Sequence, residues 1–273
     1  MPNRFGLVVT VSQYADPKNN LEGVENDHGA VLKLFAENEI YNVETIRDKN
    51  ATLGNMQRGL EQLVRNRTTG DVCIFYFSGH GIQLPKEYSQ TQDPDGRDEA
   101  MVTYDCTLST LLLDNWMAQF LKSTLPGGVN FWGFYDCCHS GQLYKALAIS
   151  GLTVYEQAKE LTIDRIVLDK LPTKLGKSSD RELKDLTLVD DNSIGRSVHF
   201  GASQRDRQAL CKEIAGVKRS VFTWAMCEVI KHNSMLTVEE ADNALVAKVA
   251  EQTILHTPQV ACSTADRKRT LFT

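Results

Sequence analysis

Phe75-Tyr76-Phe77-Ser78-Gly79-His80-Gly81 and Phe131-Trp132-Gly133-Phe134-Tyr135-Asp136-Cys137-Cys138-His139-Ser140-Gly141 decide how this chain is read. Each is an apolar, aromatic run that ends abruptly in polar residues and glycine. Such a run predicts a strand buried on both faces of a parallel sheet, and its polar end marks where the chain leaves the sheet. One strand delivers a histidine at its carboxyl end and the other a cysteine at the equivalent place. That edge of an open α/β sheet is where ligands bind. A thiol and an imidazole brought together there are what a cysteine nucleophile and its acid/base need.

Outward from these two strands, the pattern alternates. Phe5 to Val11 and Asn42 to Ile46 predict further strands. Helices are expected from Asn26-Asp27, from Thr52, over Leu111 to Leu121, and from Gly141 to Ala148. Gly81 to Asp105 reads as a long polar loop. After a charged stretch over 150–196, Ser197 to Ala202 predicts a strand, Ser220 to Lys231 and Val238 to Leu255 helices, and Gln259 to Cys262 a closing strand. The fold class is α/β: a mostly parallel sheet of about six strands, with room for extra edge strands, between helices on both faces. One catalytic domain covers 1–273, with 1–149 carrying His80 and Cys138, 150–196 a basic linker and 197–273 a smaller second part. The linker reads as partly helical near Val154 to Leu161 and exposed beyond. It holds Lys159, Arg165, Lys170, Lys174, Lys177, Arg181, Lys184 and Arg196.

Composition narrows the function. Hydrophobic residues make up 42% and charged residues 24%, as in an ordinary globular protein. A net charge of −5 gives no basic field for nucleic acid or an anionic membrane. No apolar stretch is long enough to span a bilayer, and the amino-terminal residues lack the apolar core of a signal peptide. Seven cysteines, mostly in apolar segments, suit reduced thiols in a cytoplasmic protein.

In the site itself, His80 serves as base and then protonates the leaving amine, while Cys138 attacks as thiolate. The Gly81 and Cys138 N–H groups are the expected oxyanion donors. A lone buried cysteine is more often inert packing; the joint placement of Cys138 and His80 at two strand ends argues otherwise. Zinc ligation by Cys137, Cys138, His139 and His80 is disfavoured, since adjacent cysteines seldom hold one tetrahedral ion.

At these residues the chain resembles the metacaspases, caspase-like cysteine peptidases of family C14. Ser78 to Gly81 and Asp136 to Gly141 match their two catalytic segments. Leu21 to Asp27 resembles an early helix start in which Val24 replaces a usual cysteine. Asp95 to Glu99, Ser203 to Glu213, Ser220 to Thr223 and Thr257 to Gln259 resemble further family motifs. The resemblance implies a caspase-like fold, His80 and Cys138 as the catalytic pair, and a pocket for Arg or Lys on Asp27 and Asp136 with Ser78 nearby. Two carboxylates in a partly dry pocket suit a cation; the competing reading of Asp27 is a helix amino-terminal carboxylate.

Calcium, used by many of the family, would fall on Asp98 and Asp114 beside Asn115. Lys145 at a further ligand position predicts that this site is weak or absent. No cofactor is required. Self-cleavage in the linker is expected at Lys177, Arg181 or Arg196, as in a zymogen. Protein or peptide substrates, a monomeric chain, a regulatory partner, and a role in cell death, stress or defence complete what the resemblance implies. Two other readings stand beside this one: a silent caspase-like scaffold, and a protease with Asp specificity, for which Arg205 and Arg207 are the nearby cations.

Overall fold

A computed structural model describes residues 2–89, 97–138, 156–169, 195–203, 209–231 and 235–273. Six strands form one sheet: β1 (Arg4–Thr10), β2 (Asn42–Arg47), β3 (Val72–Ser78), β7 (Asn130–Asp136), β9 (Arg196–Gly201) and β12 (Gln259–Ala261). Their spatial order is β12-β9-β7-β3-β1-β2, and only β12 runs antiparallel to its neighbour. Strands from both sides of the linker therefore share one sheet.

The aromatic runs behave as strands buried on both faces. In β3, Cys73, Phe75 and Phe77 enter one apolar cluster, while Val72, Ile74 and Tyr76 enter the other. The helices α2 (Leu53–Val64) and α3 (Asp114–Thr124) supply the first cluster. The second is closed by α1 (Val24–Glu37), α4 (Val221–Lys231) and α5 (Val238–Ala250). None of the described helices is long and apolar enough to cross a membrane.

Register then sets the site. β3 and β7 pair in parallel from Val72 opposite Asn130 to Ser78 opposite Asp136. Both strands thus end at the same level, and the residues after them emerge side by side. On the far side of β3, Thr10 pairs with Ser78, which brings the β1 loop to the same edge.

Several expectations change. The stretch read as a polar loop contains β4 (Gly81–Gln83) and β5 (Glu99–Met101), which pair antiparallel as a small sheet with β6 (Leu112–Leu113). These strands are too short to show a period. The helix expected from Leu111 starts at Asp114, because Leu112 and Leu113 are taken up by β6, and α5 stops at Ala250 rather than Leu255.

The largest change is in the linker. In place of a helix near Val154 to Leu161 there is β8 (Glu156–Ala158), antiparallel to β10 (Leu210–Ile214). β10 in turn forms a hairpin with β11 (Val217–Ser220). The turn residues Ala215 and Gly216 have φ of 52° and 78°, as a tight hairpin turn requires. The helix expected over Gly141 to Ala148 lies outside the described residues.

Candidate active site

The strand ends that carry His80 and Cys138 meet at Gly81. At Gly81 an added Cβ would lie 1.7 Å from the Cys138 carbonyl oxygen and 3.1 Å from the Cys138 nitrogen, so only glycine fits where the two strand ends touch. His80 is buried beneath this contact, and three interactions fix it. Its backbone N–H donates to the Tyr14 Oη at 2.7 Å, the Tyr14 ring sits 5.1 Å from the imidazole between centroids, and Nε2 lies 2.8 Å from the Asn19 carbonyl oxygen. A carbonyl can only accept, so Nε2 carries the proton. Nδ1 is left with a lone pair and no hydrogen-bond partner. Burial pulls the imidazole down to about 4, against the Asn19 and Lys159 backbone, so the ring is neutral.

The loop that supplies Tyr14 and Asn19 is itself pinned. Asp48 Oδ1 accepts from the Ser12 N–H, the Ser12 hydroxyl and the Gln13 N–H, and Asp16 caps the short turn Pro17–Asn19. Neither Tyr14 nor Asn19 was singled out in the sequence. A backbone carbonyl has no side-chain signature; Asp16-Pro17 was the one local sign of a fixed turn.

Cys138 belongs to the apolar cluster on one face of the sheet and Cys137 to that on the other. The Cys138 Sγ accepts the Ala209 N–H at 2.9 Å. Burial pushes the thiol well above its ordinary value, and the Glu160 charge adds to the effect. In this state the pair is a neutral thiol and a neutral imidazole, with the sulfur turned to Ala209.

Beside the pair lies a carboxylate pocket. Asp27, Ser78 and Asp136 come together at the ends of α1, β3 and β7, all buried. Asp27 lies in the first turn of α1, and its carboxylate also accepts the Ser220 N–H at 3.0 Å, the Ser220 hydroxyl, and the Ser78 hydroxyl at 3.1 Å. Asp136 Oδ2 accepts the Thr223 N–H at 3.1 Å and the Thr223 hydroxyl, and Thr223 is joined to the Tyr76 hydroxyl at 2.6 Å. Ser220 and Thr223, at the start of the expected helix Ser220 to Lys231, carry no sign in the sequence of this role.

A cation already occupies the pocket. Lys159, fully buried, places Nζ 2.9 Å from Asp136 Oδ1, 2.7 Å from Ser78 Oγ, 2.9 Å from the Asp136 carbonyl oxygen and 3.8 Å from Asp27 Oδ2. Burial works against the ammonium, but Asp136 and then Asp27 outweigh it and hold it charged. Burial likewise pushes the Asp27 carboxyl up to about 6, although Lys159 pulls it down. The Lys159 backbone is held as well. Its N–H donates to the Ala209 carbonyl and its carbonyl accepts the Gly81 N–H, each at 2.9 Å. The sequence places Lys159 in a stretch expected to be partly helical, with no sign of a buried role; instead β8 pairs with β10, and the next residue is carried into the pocket.

The other expected residues stand elsewhere. Lys177 and Arg181 lie outside the described residues, as do Lys145, His139, Arg205 and Arg207. Arg196 opens β9, exposed, with its N–H on the Val129 carbonyl, away from the pocket. Asp98 Oδ1 accepts the Asn115 side-chain amide at 2.7 Å, and Asp114 Oδ1 accepts the Asn115 N–H at 2.8 Å. A donor turned onto Asp98 does not fit a calcium ligand set. Among the described residues no three His, Cys, Asp or Glu side chains group as metal ligands.

The chain matches the model of the caspase domain, peptidase family C14, over residues 3–271. Metacaspase-1A of Aspergillus niger is 23% identical over 95% of this chain and 70% of its own length. Metacaspase-4 of Arabidopsis thaliana is 28% identical over 69% of this chain and 39% of its own length. Metacaspase-1 of Candida albicans is 27% identical over 48% and 32%. The chain thus spans well under two thirds of the length of several curated relatives it matches. A solved structure of a Geobacter sulfurreducens protein is similar at a TM-score of 0.72 and 20% identity, over 100% of this chain and 99% of that one. Caspase-1 of Spodoptera frugiperda follows at 0.56 and 9%, over 96% and 88%. Fold and family match agree: the chain belongs to the caspase-domain family, peptidase family C14.

Proposed function

We propose that this peptidase cleaves after Lys or Arg, with Cys138 as nucleophile and His80 as acid/base, and that its first substrate is its own Lys159–Glu160 bond. The observation that carries this reading is Lys159 itself. A basic side chain sits between Asp27 and Asp136 while its carbonyl rests on the Gly81 N–H and its N–H on Ala209. A substrate entering as a strand along β10 with Lys or Arg in the pocket would be held in the same way.

The chemistry follows from the groups present. His80 Nδ1 takes the Cys138 thiol proton, the sulfur adds to the carbonyl carbon, and the oxyanion is held by the Gly81 and Cys138 N–H groups. His80 then gives that proton to the leaving nitrogen, and the C–N bond breaks to leave a thioester on Cys138. Water, deprotonated by His80, hydrolyses the thioester and restores the thiol.

The filled pocket also supports reading the intact chain as a zymogen. Cys138 Sγ is engaged by Ala209 rather than His80, which is a resting arrangement. Self-cleavage is therefore assigned to Lys159 instead of Lys177, Arg181 or Arg196.

The test is hydrolysis of short fluorogenic peptides ending in Lys, Arg or Asp by the full chain and by Cys138→Ala. Cleavage after Lys and Arg alone, lost in the variant, is expected. Cleavage after Asp, or equal cleavage by the variant, would overturn the reading.

A further inference from the structure

The residues after Lys159 are bound to the site as closely as those before it. Gly81 donates its N–H to the Lys159 carbonyl at 2.9 Å and accepts the Leu161 N–H at 3.1 Å, so Glu160 lies parallel beside Gly81. Leu161 is 1% exposed, in the apolar cluster that also holds Ile82, Val102, Cys106 and Ile166. Farther on, the Val167 N–H donates to the Cys106 carbonyl and the Leu108 N–H to the Val167 carbonyl, both at 2.8 Å. The chain thus has backbone partners on both sides of the Lys159–Glu160 bond.

We propose that the groove beside Gly81 and Ile82 is a leaving-side substrate site, with an apolar pocket that takes an aliphatic side chain at the second residue after the cut. This rests on the function proposed above. Gly81 cannot take a side chain, because an added Cβ would collide with the Cys138 carbonyl. Any chain with its basic residue between Asp27 and Asp136 and its carbonyl on the Gly81 N–H must carry its second following residue past the Gly81 carbonyl. A side chain at that point enters the space Leu161 fills. An aliphatic group there leaves water for apolar neighbours, whereas a carboxylate loses its hydration. Glu160, half-buried, shows that the first residue after the cut is under less constraint.

The experiment uses the full chain, self-cut at Lys159, with internally quenched peptides Ala-Lys-Glu-X-Thr in which X is Leu, Gly or Asp. An Ala-Lys coumarin amide, which has no residue X, is read in parallel. The enzyme's own Glu160–Asp169 segment competes equally against every peptide, so the ratios are unaffected. Expected is a kcat/KM for Leu over Asp of tenfold or more, with Gly between them. Values within twofold for all three, with the coumarin amide cleaved, would overturn the pocket and leave the function standing. Failure to cleave the coumarin amide and every peptide would overturn both.

Discussion

The strand ends that carry His80 and Cys138 and the segment Glu156–Asp169 laid across them are held in different ways. The strand ends belong to β3 and β7, whose side chains are buried on both faces and whose backbones pair along their full length. The segment has a three-residue strand, one buried lysine paired with Asp136 and Asp27, two buried apolar side chains, Leu161 and Ile166, and a few edge hydrogen bonds. Opening the site therefore asks for loss of the cover and no change in the sheet. Openings drawn from the less tightly held parts of a fold are the general case.

Asp136→Asn should be the largest break in this picture. It removes the charge nearest the cation while leaving an amide able to face Thr223. A fall in kcat/KM on Lys peptides of about a hundredfold or more is expected, from the usual cost of halving a buried charge pair. A change below tenfold would move the specificity away from this pocket.

Lys159→Met separates cover from sheet. The stem stays and the ammonium goes, leaving Asp27 and Asp136 buried without their cation. Stability at pH 8 should drop by about 3–5 kcal/mol in denaturant titration. The Asp27 carboxyl then loses the pull of Lys159 and rises further, so the folded protein takes up a proton that the unfolded chain does not, and stability should recover as pH falls. The same variant should show no cut at residue 159. Unchanged stability would mean that the cover is not held by this pair.

A smaller effect sharpens the pocket. The Asp27 carboxyl is pushed up to about 6 by burial, so it loses its charge as pH falls through that value. With the Lys159 ammonium out of the pocket its downward pull is lost and the carboxyl stands higher still, so KM for Lys peptides should already rise as pH falls from 8 towards 6, and the rise should be missing in Asp27→Asn. A flat KM between pH 8 and 5 would remove Asp27 from cation binding.

The strand ends were legible because their signal is local. Apolar runs such as Phe75 to Phe77 stop at Ser-Gly-His-Gly, and the same residues that form the strand announce its end. Asp27 and Asp136 were legible through resemblance, and carboxylates paired at one edge made chemical sense. The partners that satisfy them, Ser220 and Thr223, were not, since hydroxyls accepting such a task look like any others.

Lys159 was misread for a deeper reason. Its burial depends on β8 meeting β10, a pairing between distant parts of the chain with no period to announce it. Tyr14 and Asn19 act through a ring face, a hydroxyl and a backbone carbonyl, which only the fold brings to His80.

The central claim is that the cover is a substrate. Mass spectrometry of the purified chain and of Cys138→Ala, incubated side by side, tests it most directly. The account predicts a new carboxyl terminus at Lys159 and a new amino terminus at Glu160 in the wild type, both absent from the variant. Cleavage at Arg196 with the Lys159–Glu160 bond intact, or an equal cut in Cys138→Ala, would contradict it.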